Sequence, residues 1–517
     1  MWHVRAAVFA ALFLAGLASQ AVAQDVTLRA RDGAIELSGT LLGFDGEFYR
    51  LDTEYGELTI DGSGVLCDGP GCPSLTDFVA EIDISGSATA GQVLMPALLE
   101  GFARRNGMGA DRRPIDDSHF TYELSRDGKI VGRFHFRLTT TDEGFADLLG
   151  GDADIAMALR EIRREELARA REAGLGELDH PNRSRVLALD ALIPVVAPGN
   201  PVDAISVADL ARVVAGQIDN WRDLGGPDAP IAVHLRDPGS GLLQNVEDRL
   251  MAPARLEPQA GAVAHMTNEA LAQAIVRDPF GIGIASFSEI GNAKPLTLTG
   301  PCGFSLRGTR RNIKTEDYPL TAPMFLYLPA RRLPALGRDF LRYTRSDPAQ
   351  IVIRRAGFVD QDPETIPINL QGDRLANAIA VATGDDGLTQ LQDMMTTLGP
   401  MQRLSTSFRF EAGSVRLDAQ SRSNVQQLAR SIEGGAYDSR HMVFVGFSDG
   451  QGPAGANLAI ARRRAEAVRR AVIDAAETAD ASKLDITSTA FGEAMPMACD
   501  DSAWGRQVNR RVEVWLR

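Results

Sequence analysis

The sequence predicts a multidomain α/β protein built from three folded parts. Its 517 residues suffice for three or four domains, and 44% hydrophobic with 24% charged residues is ordinary composition for globular domains. Short alternating apolar runs fill residues 25–78, whereas patterns of strand, small-residue turn and helix repeat over 79–360 and return over 404–517. A small β module is therefore expected first, followed by a large α/β domain and a smaller layer of strands and helices.

The first residues have the pattern of an export signal. His3 and Arg5 precede an apolar run from Ala6 to Leu17, and Ala21-Val22-Ala23 has the form of a signal-peptidase site. Residues 1–23 are predicted to be a signal peptide, with an uncleaved N-terminal anchor as the alternative. No later apolar stretch approaches the roughly 20 residues that a membrane helix needs, so no transmembrane segment is expected in the mature chain.

Charge and cysteine content narrow the range of partners. The chain has 54 basic and 68 acidic residues, a net charge of −14, which argues against nucleic acid as the main partner. Cys67 and Cys72 enclose a turn-forming spacer that could close a small disulfide after export. Cys302 and Cys499 could pair across domains or stay reduced. The sequence lacks the paired CxxC spacing of metal sites, and no metal or cofactor is expected.

Residues 25–78 have the alternation of short β-strands. Runs such as Glu36-Leu37-Ser38-Gly39 and Glu57-Leu58-Thr59-Ile60 are separated by glycine turns such as Arg31-Asp32-Gly33. The pattern predicts a small β-barrel or β-sandwich module, and none of its residues suggests chemistry.

Three turns of the α/β domain place hydroxyls and backbone N–H groups at the start of a predicted helix. They are Ser85-Gly86-Ser87-Ala88-Thr89, Thr139-Thr140-Thr141 and Pro238-Gly239-Ser240-Gly241. A helix N-terminus favours a bound anion, although Ser and Thr are also the ordinary N-cap residues. An anion site is expected if the three turns converge.

The order of motifs over 79–360 resembles the PstS-type phosphate-binding proteins. The motifs that carry the resemblance include Asp83-Ile84-Ser85-Gly86-Ser87, Asp152-Ala153-Asp154-Ile155-Ala156, Gln217-Ile218-Asp219-Asn220-Trp221 and Arg236-Asp237-Pro238-Gly239-Ser240-Gly241. The resemblance implies a type II periplasmic-binding fold, in which two α/β lobes close around a ligand. It places the oxyanion contacts on Thr89, Thr141, Arg236, Ser240 and Gly241, with Arg160 as a further cation.

Two departures from the family pattern bear on the ligand. Leu242 stands where the family usually has threonine, and Asp142 and Glu143 follow Thr141 where the family has small residues. Carboxylates facing the cleft would repel phosphate. The resemblance implies a small anion as ligand, phosphate preferred. The alternative is that the lobes have lost their ligand and serve as a spacer or bind another envelope protein.

Residues 361–403 are predicted to be a partly ordered linker, because turn and acidic residues such as Thr383-Gly384-Asp385-Asp386-Gly387 interrupt them. Beyond this segment, Phe408 and Phe410 alternate as in a strand, and a second strand ends at Asp449. A helix is predicted after it, since apolar residues recur at helical spacing at Leu458, Ala461, Ala465, Val468 and Val472.

The motifs of residues 404–517 resemble the OmpA-like peptidoglycan-binding domain. They are Val445-Gly446-Phe447-Ser448-Asp449, Asn457, Arg464-Ala465 and Asn509-Arg510-Arg511. The resemblance implies a β/α sandwich that binds the diaminopimelate peptide of peptidoglycan through Asp449 and Arg464, with Asn457 and Arg510 as supports. An aspartate can take the ammonium of diaminopimelate and an arginine can fork its carboxylate. A purely structural Asp–Arg salt bridge is the alternative.

Together these observations predict a periplasmic, peptidoglycan-anchored and non-enzymatic binding protein, associated with the cell wall or outer membrane. Catalysis is not expected, because no histidine or serine stands in the sequence context of a nucleophile elbow, a zinc helix or a phosphate-transfer loop. Two alternatives remain: the solute-binding component of an ABC phosphate transporter, and a structural envelope protein whose lobes bind another protein.

Overall fold

The computed structural model describes residues 25–74, 78–382, 384–411 and 414–517. The predicted signal peptide, residues 1–23, lies outside the described residues. The predicted α/β class is confirmed, with a small β module, a large α/β domain and a C-terminal layer of sheet and helices in the expected order. Within the described ranges, no helix is both long enough and apolar enough to cross a membrane.

The N-terminal module is one antiparallel sheet with the strand order β4-β3-β2-β1-β5. Its strands are β1 Asp25–Ala30, β2 Glu36–Phe44, β3 Phe48–Thr53, β4 Gly56–Asp61 and β5 Val65–Asp68. The expected barrel or sandwich is wrong, because the strands are short and bury one small apolar cluster around Tyr49 and Leu51. Cys67 and Cys72 form a disulfide at one end of the sheet, with a Cα–Cα distance of 5.8 Å.

The middle domain is built on one long curled sheet with the strand order β14-β13-β15-β11-β19-β10-β6-β9-β8-β7, to which β16 adds beside β11. Its longer strands are β6 Ala80–Ser87, β7 Gly109–Pro114, β8 His119–Arg126, β9 Lys129–Thr139, β10 Ile155–Ala158 and β11 Ser184–Val196. The remaining strands of this sheet are β13 Ala232–Arg236, β14 Val263–His265, β15 Gly281–Ser286, β16 Lys294–Pro295 and β19 Thr321–Tyr327. A separate three-stranded sheet, of order β12-β17-β18, consists of β12 Ala204–Ser206, β17 Thr297–Thr299 and β18 Ser305–Leu306.

Helices cover both faces of this sheet. They are α1 Met95–Arg105, α2 Thr141–Gly150, α3 Arg164–Glu172, α4 Val207–Val214, α5 Gly241–Val246, α6 Ala252–Ala254, α7 Asn268–Arg277, α8 Arg310–Lys314, α9 Ala335–Tyr343 and α10 Asp347–Arg355. Single π-helical turns, Ala90–Leu94 and Glu247–Met251, precede α1 and join α5 to α6.

Strand β11 crosses between the two lobes of the middle domain. Its first part, up to Ala191, pairs with β19, and its second part, from Leu192 to Val196, pairs with β15. The domain has two apolar clusters, one beneath α1 and α9 and a larger one beneath α4 and α7 that also includes Phe145 and Leu148 of α2. The motif-bearing turns of β6 and α2 belong to the first lobe, and the turn before α5 belongs to the second.

The C-terminal domain is a five-stranded sheet with helices on both faces. Its strand order is β20-β21-β24-β22-β23. The strands are β20 Thr365–Ile366, β21 Gln402–Arg409, β22 His441–Phe447, β23 Asp485–Gly492 and β24 Arg511–Leu516, and the helices are α11 Gly372–Val381, α12 Gly384–Leu398, α13 Ala419–Glu433, α14 Ala454–Ala475 and α15 Ala503–Asn509.

The predicted linker over 361–403 is an ordered layer of this domain. Helices α11 and α12 pack Ala378, Leu391 and Met394 against Val445 and Trp515, on the face of the sheet opposite α13 and α14. The prediction of a partly ordered linker is therefore wrong. The run of glycine and aspartate that suggested a turn is the first turn of α12.

The C-terminal domain is docked on the middle domain by covalent and ionic contacts. Cys302 and Cys499 form a disulfide across the interface, with a Cα–Cα distance of 5.7 Å. Both nitrogens of the buried Arg403 fork donate to Asp317, over 2.6 and 3.1 Å. Trp504 Nε1 donates to the Arg249 carbonyl over 2.9 Å. The two domains consequently share a buried boundary and are not joined only by a tether.

Candidate functional site

The N-terminus of α2 lies in the cleft between the lobes and is capped from across it. The backbone N–H of Thr141 donates to Gln244 Oε1 over 2.8 Å, and that of Asp142 donates to the same oxygen over 3.3 Å. Thr141 Oγ1 accepts from the Leu159 N–H over 3.1 Å. Gln244 belongs to α5 of the second lobe, and its side-chain oxygen accepts hydrogen bonds from the two N–H groups that would be expected to bind an anion.

Ser87 and Gly241 bring the lobes into direct contact. A Cβ atom built on Gly241 would lie 2.6 Å from Ser87 Oγ, so any other residue at this position would force Ser87 to move. Ser87 Oγ is buried and has no hydrogen-bond partner among the described residues. Ser240 accepts from the Leu243 N–H over 3.1 Å and serves as the N-cap of α5. Thr89 is buried beside the π-helical turn that precedes α1 and makes no capping bond.

Arg160 is held by carboxylates. Its NH1 and NH2 donate to Glu166 over 2.8 and 2.7 Å, NH2 also bonds Asp142, and Nε lies 3.5 Å from Asp248. Arg163 bridges Asp142 and Asp248 from the other side. Burial opposes ionisation of Asp142, but Arg160 and Arg163 outweigh it and lower the pKa of that carboxyl. Three carboxylates against two guanidiniums leave this cluster with one excess negative charge.

Arg236 is bound within its own lobe. Its Nε donates to the His265 carbonyl over 2.9 Å, and NH2 donates to the Met266 carbonyl over 2.8 Å and to Asp237 over 3.0 Å. Its NH1 bonds the Asn268 side chain. Every nitrogen of the predicted anion fork therefore serves the turn before α7.

In the C-terminal domain, a tight strand–helix contact positions the residues predicted to bind peptidoglycan. Strand β22 ends at Phe447, two residues before Asp449, and α14 runs behind it. A Cβ atom on Gly446 would lie 2.1 Å from the Ala461 carbonyl oxygen, so the helix can approach the strand only at a glycine. This approach places Arg464, one turn further along α14, beside the strand end.

Asp449, Arg464 and Arg510 meet at this edge of the C-terminal domain. Arg510 NH1 donates to Asp449 Oδ2 over 2.7 Å. Arg464 has no ion-pair partner among the described residues: its Nε and NH2 donate to the Ser414 carbonyl over 3.3 and 3.2 Å, and its guanidinium lies 5.0 Å from the Phe410 ring centre. Burial and the neighbouring Arg510 lower the pKa of Arg464 to about 10, against the opposing effect of Asp449.

Asn457 and Asp500 lie beside Asp449, Arg464 and Arg510. We call these five residues together the wall pocket. Asn457 Nδ2 donates to Glu493 Oε1 over 2.5 Å. Asp500 accepts from the Gly450 N–H over 2.7 Å and from Asn509 Nδ2 over 2.8 Å. The pocket thus presents acids suited to an ammonium next to a buried arginine that has no carboxylate of its own.

Sequence reasoning missed three contributors to the two sites. Gln244 and Arg163 are polar residues without a motif of their own. Closure of the lobes brings Gln244 to Thr141 and Asp142, whereas Arg163, just before α3, reaches Asp142 within the first lobe. Asp500 follows a cysteine whose pairing could not be predicted. The predicted peptidoglycan residues lie together at one edge of the C-terminal domain: Asp449, Asn457, Arg464 and Arg510.

The predicted anion residues are not gathered in this way. Thr141, Ser240 and Gly241 lie at the contact between the lobes, whereas the guanidiniums of Arg160 and Arg236 are bound by other partners.

Comparison with protein families identifies two parts of the chain. A model described as a PBP superfamily domain matches residues 80–348, and a model of the OmpA family matches residues 409–510.

Among curated proteins, protein SphX of Synechococcus elongatus is 27% identical over 231 residues, which are 42% of this chain and 66% of that protein. The phosphate-binding protein PstS of Borreliella burgdorferi is 25% identical over 212 residues, 40% of this chain and 71% of that protein. The chain thus spans just under two thirds of the length of the SphX relative.

Solved structures cover the same two parts. One is the structure of a putative phosphate ABC transporter substrate-binding protein with bound phosphate from Clostridium perfringens. It is 21% identical with a TM-score of 0.42, and the match covers 54% of this chain and 99% of that protein. The peptidoglycan-associated lipoprotein of Burkholderia pseudomallei is 26% identical, with a TM-score of 0.19, and covers 22% of this chain and 89% of its own.

Proposed function

The chain belongs to the PBP superfamily through residues 80–348, and we propose that it is an exported, non-enzymatic binding protein anchored to peptidoglycan by its C-terminal domain. The OmpA domain at residues 409–510 supports the anchoring role. The proposed location is the periplasm, against the cell wall or outer membrane.

The observation that carries the anchoring role is the wall pocket. The α-centre of diaminopimelate presents an ammonium and a carboxylate from one carbon. Asp449 is proposed to take the ammonium and Arg464 to fork the carboxylate, while Arg510 holds Asp449 in place through its 2.7 Å bond. The structural alternative of an Asp449–Arg464 salt bridge finds no support, since Asp449 pairs with Arg510 and not with Arg464.

Sedimentation with purified peptidoglycan tests the anchor. Asp449→Ala and Arg464→Met are each expected to weaken binding about 30-fold or more, because truncating one partner of a desolvated charge contact costs roughly 2–5 kcal/mol. Arg462→Ala is the matched control, because Arg462 lies on the same helix and is exposed. Wild-type sedimentation of both pocket variants would refute the assignment.

For the middle domain we propose a small oxyanion as ligand, phosphate preferred. Support comes from the two N–H groups of Thr141 and Asp142, which converge on one acceptor oxygen, and from the unpartnered hydroxyl of Ser87 nearby in the same cleft. Phosphate would take the position of Gln244 Oε1, so binding requires this side chain to move. The name of the PstS relative, a phosphate-binding protein, agrees with this class of ligand.

A second candidate role has its own support. Both terminal nitrogens of Arg160 and every nitrogen of Arg236 are engaged by the chain itself, and the Arg160 cluster carries one excess negative charge. The lobes could therefore act as a structural or protein-binding module of the envelope. The role of a transporter's solute-binding component is less favoured, because the disulfide to the wall-binding domain opposes diffusion to a permease.

Calorimetry of the full-length protein with inorganic phosphate separates these roles. Gln244→Ala is expected to bind phosphate roughly tenfold more tightly than wild type, because the acceptor that competes for the N–H groups of Thr141 and Asp142 is removed. Gln273→Ala, a change of the same kind on the exposed face of α7, should leave the affinity unchanged. If neither the wild type nor Gln244→Ala binds phosphate, the receptor role fails and the structural role stands.

A further inference from the structure

A groove of about 730 Å³ lies where the middle domain meets α13 of the C-terminal domain. Eight of its fifteen lining residues are arginines, and none of the described residues that line it is acidic. Such a lining is unexpected in a chain of net charge −14, in which acidic residues outnumber basic ones. The groove is remote in sequence from both sites described above.

Four of the eight arginines have carboxylate partners outside the groove. Arg332 and Arg338 both pair with Asp45 and Glu47 of the N-terminal module, with Arg332 at 2.7 Å from each. Arg331 pairs with Asp154 over 2.8 Å, and Arg342 with Asp339 over 2.7 Å. The charges of all four are compensated, and Arg332 and Arg338 attach the N-terminal module to the middle domain.

The other four form an uncompensated group, the arginine cluster, made of Arg183, Arg185, Arg345 and Arg430. None has an ion-pair partner among the described residues. Arg183 NH1 donates to the Pro329 carbonyl over 2.6 Å and Arg185 NH1 to the Leu341 carbonyl over 3.2 Å. Arg185 Nε is buried without an acceptor. The side chains of Arg345 and Arg430 make no hydrogen bond within the described ranges.

The members of the cluster are close enough to repel one another. Burial, together with the charges of Arg185 and Arg430, lowers the pKa of Arg345 to about 9. Burial and the charges of Arg430 and Arg183 likewise lower the pKa of Arg185. Assembling like charges costs free energy that a bound anion would recover. The members come from the start of β11, the segment after α9 and the last turn of α13, so the cluster exists only while the two domains are docked.

We propose that the arginine cluster is a second anion-binding site, which takes a ligand bearing at least two phosphate charges. Planar guanidinium forks match the oxygens of a phosphate group, and several of them demand a multivalent anion. The volume is that of a site for a small organic molecule and exceeds the need of one inorganic phosphate. A soluble diphosphate ester and the phosphate headgroups of a lipid surface share this chemistry.

Titration of the full-length protein with inorganic diphosphate tests the site. Wild type is expected to bind, and Arg345→Gln and Arg430→Gln are each expected to weaken binding about tenfold, the loss of one charge-assisted hydrogen-bonded contact. Arg342→Gln is the matched control, since Arg342 lines the same groove but pairs with Asp339. The losses caused by Arg345→Gln and Arg430→Gln should also appear in the Gln244→Ala background, in which only the cleft between the lobes is altered, and this separates the groove from the proposed phosphate cleft.

Flotation with vesicles of phosphatidylglycerol, and of phosphatidylcholine as the neutral comparison, distinguishes the two sources of phosphate. If the protein binds anionic vesicles but not diphosphate, and this binding falls in Arg345→Gln and Arg430→Gln, the phosphate belongs to a lipid. If the protein binds diphosphate but not the vesicles, the ligand is a soluble phosphate ester. Folding is checked by thermal unfolding, where loss of like-charge repulsion should leave both variants at least as stable as wild type. The proposal is overturned if neither probe binds wild type, or if Arg342→Gln loses as much affinity as the cluster variants.

Discussion

The cleft between the lobes and the wall pocket contain the same kinds of side chain, yet they use their arginines differently. In the cleft, Arg160 and Arg236 are engaged by Asp142, Glu166, Asn268 and nearby carbonyls, and Gln244 caps the helix that would receive an anion. In the wall pocket, Arg464 donates only to one carbonyl and has no carboxylate within ion-pair distance among the described residues. Arginine content alone therefore does not identify a binding site, because the partners already supplied by the chain decide what remains for a ligand.

The matched substitutions Arg236→Met and Arg464→Met should show the largest difference between an arginine bound by the chain itself and an arginine left for a ligand. Arg236→Met leaves two carbonyls, Asn268 and Asp237 without their donor and is expected to lower the free energy of unfolding by roughly 2–5 kcal/mol. Arg464→Met removes a buried charge that lacks a carboxylate and keeps the apolar stem, so its cost should be under about 1 kcal/mol. Denaturant unfolding measures both, and equal losses would show that the two arginines have the same role.

The disulfide between Cys302 and Cys499 joins the domains that contain the cleft and the wall pocket, and its removal is expected to have the next largest effect on stability. Replacing both cysteines by serine is expected to lower stability on the order of 2–4 kcal/mol, since the bond closes a sequence separation of 197 residues. The double change at Cys67 and Cys72, separated by 5 residues, should cost less because a shorter loop is closed. Denaturant unfolding followed by tryptophan fluorescence reports on this interface through Trp504. A larger loss from the short disulfide would contradict the docked arrangement.

Much of the wall pocket could be predicted from the sequence, and little of the cleft could. Asp449 and Arg464 are set 15 positions apart by one strand, one loop and one helix, so local motifs fix their approach. Gln244 acts on a turn of the other lobe, so its orientation depends on how the lobes close. Arg236 is engaged within its own lobe by the turn around His265, 29 residues further along the chain. Local sequence patterns do not report such long-range contacts.

The ordered layer over 361–403 was missed for a related reason. Its glycine and aspartate residues have turn character, and the apolar cluster that contains Leu391 and Met394 is completed by strand residues far along the chain, such as Val445 and Trp515. The disulfide of Cys302 and Cys499 could not be predicted either, since it depends on the distance between two domains. The three folded parts, by contrast, follow from periodicity within each part.

The pH dependence of the cleft provides the smallest expected effect. Arg160 and Arg163 hold the pKa of Asp142 below its unfolded value of about 3.9, against the effect of burial. A lowered carboxyl pKa contributes stability that is present above the unfolded value and is lost as pH falls through the folded value. Asp142→Asn should therefore reduce the loss of thermal stability below about pH 4.5. Glu143→Gln should not, because the Glu143 carboxylate is exposed and comes no closer than 4.0 Å to Arg137. Identical pH profiles for Asp142→Asn and wild type would contradict the ion cluster.

Calorimetric titration with meso-diaminopimelate tests most directly whether the wall pocket, and not the cleft, retains its recognition groups for a ligand. The account predicts that the full-length wild type and Gln244→Ala bind it with equal affinity. Arg464→Met, folded and close to wild type in stability, should bind at least roughly tenfold more weakly through loss of the carboxylate fork. Equal binding by Arg464→Met and wild type would contradict the central claim.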